Sequence, residues 1–163
     1  MWNLSRFEPS EVIDLAAEIE KKGAEFYRRL ADKCEHLEAK KLLSYLAAEE
    51  DRHQADFIKL GEDFEGTNPR ESYPGEYFDY MKSTAETHMF NDDHRLTRMV
   101  DDAVSPEEIL LLAASFEKDS ILFFIGFRRF TSKNKQQVVD DLIREEEGHL
   151  QKLAVLRRQI GEE

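Results

Sequence analysis

Apolar residues recur along this chain at a period near 3.6 in four long stretches, the spacing of amphipathic helices. Over about 10–33 they fall at Val12, Ile13, Leu15, Ala16, Ile19, Phe26, Tyr27 and Leu30. A second helix is predicted over about 37–60, with Gly61 as a C-terminal stop. A third, over about 105–130, opens on Ser105-Pro106-Glu107-Glu108. Serine as N-cap, proline at the first helical position and glutamate at the third make a capping box. After the turn Thr131-Ser132-Lys133-Asn134-Lys135 a fourth runs over about 136–160, closed by Gly161. The pattern predicts an all-α chain forming a single domain over 1–163. Its connection 61–104 is long, and Gly66, Pro69, Pro74 and Gly75 make the first part irregular. A short amphipathic helix is expected from about Glu76 to Met89, with Tyr77, Tyr80, Met81, Ala85 and His88 on one side. A connection of this length crosses the domain or has a role of its own.

The chain also contains itself twice. Residues 7–31 slide onto 104–128 without gaps. Pro9/Pro106, Glu11/Glu108, Leu15/Leu112, Ala16/Ala113, Ala17/Ala114, Glu20/Glu117, Lys21/Lys118 and Phe26/Phe123 then coincide. The second helix slides onto the fourth at an offset of 96, matching Leu46/Leu142, Glu49/Glu145, Glu50/Glu146, His53/His149 and Leu60/Leu156. Amphipathic helices in general share Leu and Ala; they do not share Glu and His in fixed register. Two helical hairpins joined by a long crossover, related by a pseudo-twofold axis, predict a four-helix bundle.

Four glutamates lie inside the apolar stripes. Positions −7, −4, −3 and +7 share a helix face with a given residue. Around Glu20 these are Ile13, Ala16, Ala17 and Tyr27; around Glu50, Leu43, Leu46, Ala47 and Phe57. Around Glu117 they are Leu110, Ala113, Ala114 and Phe124; around Glu146, Val139, Leu142, Ile143 and Leu153. Glu25, preceded by Glu18 and Lys21 at −7 and −4, shows the solvated pattern instead. Acids are rarely buried unless paired or bound to metal. Three residues after two of them stands a histidine, in Glu50-Asp51-Arg52-His53 and Glu146-Glu147-Gly148-His149. At that spacing both side chains point the same way and can share one metal. At 1.5 Å per residue, all four carboxylates reach one level of the bundle. They cannot all ionise in a dry core without cations, and two divalent ions balance them. Carboxylate and imidazole ligands suit iron or manganese, and such sites accept zinc.

Composition narrows the function. The 163 residues carry 35 Asp+Glu against 23 Lys+Arg, a formal charge of −12. An acidic chain is not built for nucleic acid or an anionic membrane, which need a basic face. The longest apolar run, Ile109 to Ala114, is far too short to span a bilayer. The opening Met1-Trp2-Asn3-Leu4-Ser5-Arg6 lacks the basic-then-apolar pattern of a secretory signal. The single cysteine, Cys34, excludes an internal disulfide and reads as a helix-end residue in a reducing, cytoplasmic compartment. His36 is expected in a solvated turn, His88 capping or lining the bundle, and His94 in a surface loop.

One Glu from each of two helices and Glu-x-x-His from each of the other two resembles the ferritin-like di-iron carboxylate pattern. Within that group the chain is most similar to the rubrerythrin branch. The matching stretches are Glu20-Lys21-Lys22-Gly23-Ala24-Glu25-Phe26-Tyr27, Glu49-Glu50-Asp51-Arg52-His53, Glu117-Lys118-Asp119-Ser120 and Glu145-Glu146-Glu147-Gly148-His149. The resemblance covers about 9–60 and 105–160. It implies a ferritin-like four-helix bundle and two iron ions held by Glu20, Glu50, His53, Glu117, Glu146 and His149, with Tyr27 beside them. Glu50 and Glu146 would bridge the metals or bind asymmetrically, His53 and His149 would each ligate one, and Glu20 and Glu117 would be terminal. It implies an oxidoreductase that reduces peroxide or dioxygen, and a homodimer. The alternative is an iron-binding, storage or delivery protein with ferroxidase activity. Full-length rubrerythrins add a rubredoxin module with four iron-binding cysteines, which this chain lacks, so the expected electron donor is a separate protein or reductant. They also carry a second glutamate three residues after the third-helix ligand, where this chain has Ser120. The choice between peroxide and dioxygen therefore stays open.

Overall fold

A computed structural model describes residues 9–62 and 71–162. Met1-Trp2-Asn3-Leu4-Ser5-Arg6, Gly66 and Pro69 lie outside the described residues. The four long helices are α1 (Pro9–Lys33), α2 (Leu37–Glu62), α5 (Pro106–Phe130) and α6 (Gln136–Ile160). The crossover between α2 and α5 holds α3 (Glu76–Thr87), a 3₁₀ turn (Met89–Asn91) and α4 (Asp93–Asp102). No strand occurs among the described residues, and no helix there is long and apolar enough to cross a membrane.

The start of α5 follows its sequence signal. Ser105 accepts a hydrogen bond from the Glu108 amide (3.2 Å) while Glu108 accepts from the Ser105 amide (3.0 Å). This is the expected reciprocal capping box, with Pro106 in the first turn. Asp92 caps α4 by accepting from the amides of His94 and Arg95, each at 3.0 Å. Gly75, at φ 88°, turns the chain into α3, a conformation that favours glycine.

Two expectations need correction. Gly61 does not stop α2; it lies in the last helical turn, and a Cβ there would meet Ile13 of α1 at 3.6 Å. It packs within the hairpin instead of terminating it. Among the described residues of the crossover, a helix forms that the sequence pattern does not predict. The expected helix ends at Thr87, and α4 follows, burying Leu96 and Val100. His94 is therefore an exposed residue in the first turn of α4, not part of a loop.

α1 packs along α2 and α5 along α6, while α1 also meets α5 and α2 meets α6. The crossover travels the length of the bundle. It leaves beside Ile13, near the start of α1. It ends where Lys33, closing α1, donates to the Val100 carbonyl (2.7 Å) and the Asp101 carbonyl (2.5 Å). α3 lies across α5 at Gly126, where a Cβ would come within 2.6 Å of Met81 Sδ and Tyr80 Cε1. The Tyr77 hydroxyl donates to the Gly126 carbonyl at the same crossing. The side carrying Tyr77, Met81, Ala85 and His88 is thus buried within this chain. Further along, Phe90 enters the bundle and stacks on Phe116 (centroids 4.8 Å apart) and against Phe26 (5.5 Å).

Candidate metal centre

α1 supplies Glu20, α2 supplies Glu50 and His53, α5 supplies Glu117, and α6 supplies Glu146 and His149. None of the six is more than 1% exposed. The apolar stripes explain this burial. Ile13, Ala16, Leu43, Leu46, Leu110, Ala113, Val139 and Leu142 are all buried beside them, so desolvating each stripe carries its acid inward. Glu25 stays exposed.

The donor atoms converge. His53 Nδ1 lies 2.7 Å from Glu146 Oε1 and 3.9 Å from Glu20 Oε2. His149 Nδ1 lies 3.0 Å from Glu146 Oε2 and 3.6 Å from both Glu50 Oε1 and Glu117 Oε1. Two sets of possible metal ligands result: Glu20, Glu50, His53 and Glu146, and Glu50, Glu117, Glu146 and His149. Within each set all ligand atoms lie within 4.8 Å of one another. Glu50 and Glu146 belong to both.

Both oxygens of Glu20 and of Glu50, Glu117 Oε2, Glu146 Oε1 and His53 Nδ1 are buried without a well-directed hydrogen bond. Each such group costs about 1–3 kcal/mol, more when charged. A polar core built for its own sake would satisfy them; a pair of cations does so at once. Electrostatics agree. Burial above all lifts the Glu20 carboxyl to about 8, and the charge of Glu146 adds to it. Burial also pushes Glu50 and Glu117 well above the carboxylate range, with Glu146 again contributing. Glu146 goes the other way: burial opposes its ionisation, but His149 and His53 overcome this and hold it at about 2. Burial would likewise lower His53, yet contact with Glu146 and the charge of Glu20 raise it to about 9. Without metal the cluster keeps itself near neutrality by holding protons that a cation can replace. The residues therefore fit two divalent ions, and a carboxylate–imidazole donor set suits iron, manganese or zinc.

Tyr27 is fully buried and its hydroxyl donates to Glu117 Oε1. Its counterpart in the other half is Phe124, whose ring lies 5.0 Å from that of Phe57. Gly23 is required for close approach: a Cβ would stand 2.5 Å from Phe116 Cζ and 3.3 Å from Glu50 Oε2. Ala24, Ala113 and Ser120 are buried small residues on the same level, and Ala114 is half-buried. Ser120, one turn after Glu117, has a buried hydroxyl that makes no hydrogen bond.

Three residues escaped the sequence reasoning. His53 Nε2, the nitrogen away from the cluster, lies 2.8 Å from Glu145 Oε2. Arg52 Nη2 donates to that oxygen (2.5 Å) and to Glu49 Oε2 (3.1 Å). Burial opposes ionisation of both acids, and the guanidinium nonetheless holds their carboxyls below the usual range. The repeat had aligned Glu49 with Glu145, which was the available signal. Histidines that bind metal commonly give their second N–H to a carboxylate. The remaining histidines lie elsewhere. His88 is buried against Phe90 and Phe116, and burial, then Lys22, drive it down to about 3. The half-buried His36 accepts from the Ala39 amide at the start of α2. Cys34 is buried after α1.

The family model for rubrerythrin matches residues 11–157. Among solved structures, the fold is similar to a protein of Thermotoga maritima described as a ferritin-like diiron-carboxylate protein. The two share 25% identity over 96% of this chain and 98% of the other, with a TM-score of 0.66. No curated protein matches the sequence.

Proposed function

The chain belongs to the rubrerythrin family, and on that premise we propose that it is a diiron oxidoreductase that reduces peroxide or dioxygen with electrons from a separate donor protein. The observation that carries the reading is the pair of overlapping ligand sets, sharing Glu50 and Glu146, in a core where most of their carboxylate oxygens have no well-directed hydrogen bond. In this reading Glu50 and Glu146, common to both ligand sets, would help hold both ions, with Glu20 and His53 completing one set and Glu117 and His149 the other. A ferrous pair supplies the two electrons that, with two protons, convert peroxide to two waters.

The protein's own contribution is placement and exclusion of water. Tyr27 holds Glu117 in one orientation. Gly23 lets Phe116 close over Glu50, and Phe90 backs that ring from the crossover. Cys34 is the one cysteine of the sequence, and in this reading the electrons are supplied by an external donor.

The test is an anaerobic ferrous titration of metal-free protein, followed by peroxide and dioxygen consumption with a recycling reductant. Two tight equivalents per chain and repeated turnover are expected. Accumulation of many ferric ions per chain without turnover would replace the enzyme reading with iron storage. Failure to bind two ions would remove both.

A further inference from the structure

The pseudo-twofold that relates the halves of the centre is broken at two places, and both breaks favour the same half. We propose, building on the two-metal reading above, that Arg52 and Tyr27 make the metal subsites inequivalent: Glu20 and His53 form the tighter one, Glu117 and His149 the weaker.

The repeat pairs Glu145 with Glu49 and Arg52 with Gly148. Exact symmetry would place Glu49 on His149 as Glu145 sits on His53. Instead the Nε2–carboxylate distance is 2.8 Å at His53 and 3.9 Å at His149. The cause is Arg52. Its Nη2 pins Glu145 beside His53, and also engages Glu49, which further accepts from the Tyr45 hydroxyl at 3.1 Å. Glu49 is thereby held away from His149. Gly148 has no side chain to return the arrangement, and a Cβ there would meet nothing within 4 Å. An imidazole whose Nε2–H is held by a carboxylate is fixed in one tautomer and donates more strongly from Nδ1. Losing such a partner typically weakens metal affinity 10–100-fold.

The second break lies on the opposite pair of helices. Tyr27 donates to Glu117, drawing charge from a carboxylate that would otherwise give it to a metal. Phe124, its counterpart, has no hydroxyl to offer Glu20. One half thus has a strengthened histidine and an undiminished carboxylate. The other has neither.

The experiment titrates metal-free, ¹⁵N-histidine-labelled protein with Zn²⁺, following both imidazoles by NMR and counting ions per chain. The His53 resonances should move with the first equivalent and those of His149 with the second, the steps differing about tenfold or more in affinity. In Arg52→Gln the ratio of the two affinities should fall at least about threefold. Because Arg52 is a surface residue, circular dichroism should be unchanged. Tyr27→Phe should tighten the second step and leave the first in place. His149 responding first, both histidines responding together, or a ratio unchanged in both variants would overturn the proposal. Fewer than two bound equivalents would instead overturn the two-metal reading, and this inference with it.

Discussion

The imidazoles of His53 and His149 lie face to face, 5.6 Å between centroids and 19° between planes. They belong to different hairpins, and one carboxylate, Glu146, stands between them with an oxygen toward each. The two halves of the centre therefore share their middle and not their ends. This gives the four glutamates unequal importance although each occupies the same kind of stripe.

Glu146→Ala and Glu50→Ala should each remove a ligand from both sets, leaving less than one tight ion per chain and no oxidase activity. Glu20→Ala should spare the set of Glu50, Glu117, Glu146 and His149, leaving about one ion. Equilibrium dialysis with metal analysis separates the two outcomes. Two retained ions in Glu146→Ala would contradict the shared-carboxylate arrangement.

The four bundle helices and the six converging side chains were legible because both rest on local rules. The helix period assigns faces, and acids inside an apolar face are conspicuous. Arg52 and Glu145 were not legible. Each looks like an ordinary solvated residue, and only the packing of α2 on α6 brings the guanidinium to the carboxylate and the carboxylate to His53. α4 was missed for a different reason. Its ten residues bury only Leu96 and Val100, too few to reveal a period beside so many charges. Gly61 misled because a glycine after an apolar stripe commonly marks a helix end, whereas here it serves close packing against Ile13.

Gly23→Ala should be costly despite the conservative change. The added methyl would sit 2.5 Å from Phe116 Cζ, and that ring is wedged among Phe26, Tyr27 and Phe90. Overpacking of this kind costs about 1–3 kcal/mol. Because the methyl also reaches toward Glu50, metal affinity should fall as well. Adding Phe116→Leu should restore part of both, as read by thermal unfolding and Zn²⁺ competition.

Phe90→Ala should destabilise the protein by about 3–5 kcal/mol, the cost of emptying a large aromatic site in a core. Phe90 is fully buried and is the crossover's main insertion between α1 and α5. Amides of the 3₁₀ turn and α4 should lose hydrogen-exchange protection before those of α2 and α6. Uniform loss across all helices would show that the crossover is not an independently opening unit.

The metal-free protein should lose stability as pH rises between about 5 and 9. Burial lifts the Glu20 carboxyl from its ordinary 4.5 to about 8. His53, disfavoured as a cation by burial but held by Glu146, rises from 6.5 to about 9. Both groups bind a proton more tightly folded than unfolded. Each therefore contributes stability that is complete below its ordinary value and lost as pH climbs through its folded value. Glu146, held at about 2, has the opposite sign, and its contribution disappears only as pH falls from 4.5 toward 2, outside this window. Cations take the place of the protons, so loading releases protons and tightens toward pH 8–9. Calorimetry of metal-free and Zn²⁺-loaded protein should show a falling Tm for the first and a flat or rising Tm for the second. Proton release on loading can be read directly in weak buffer. A metal-free Tm that rises from pH 5 to 9 would mean that these carboxylates enter the core already ionised, and the electrostatic case for a two-cation centre would lose its footing.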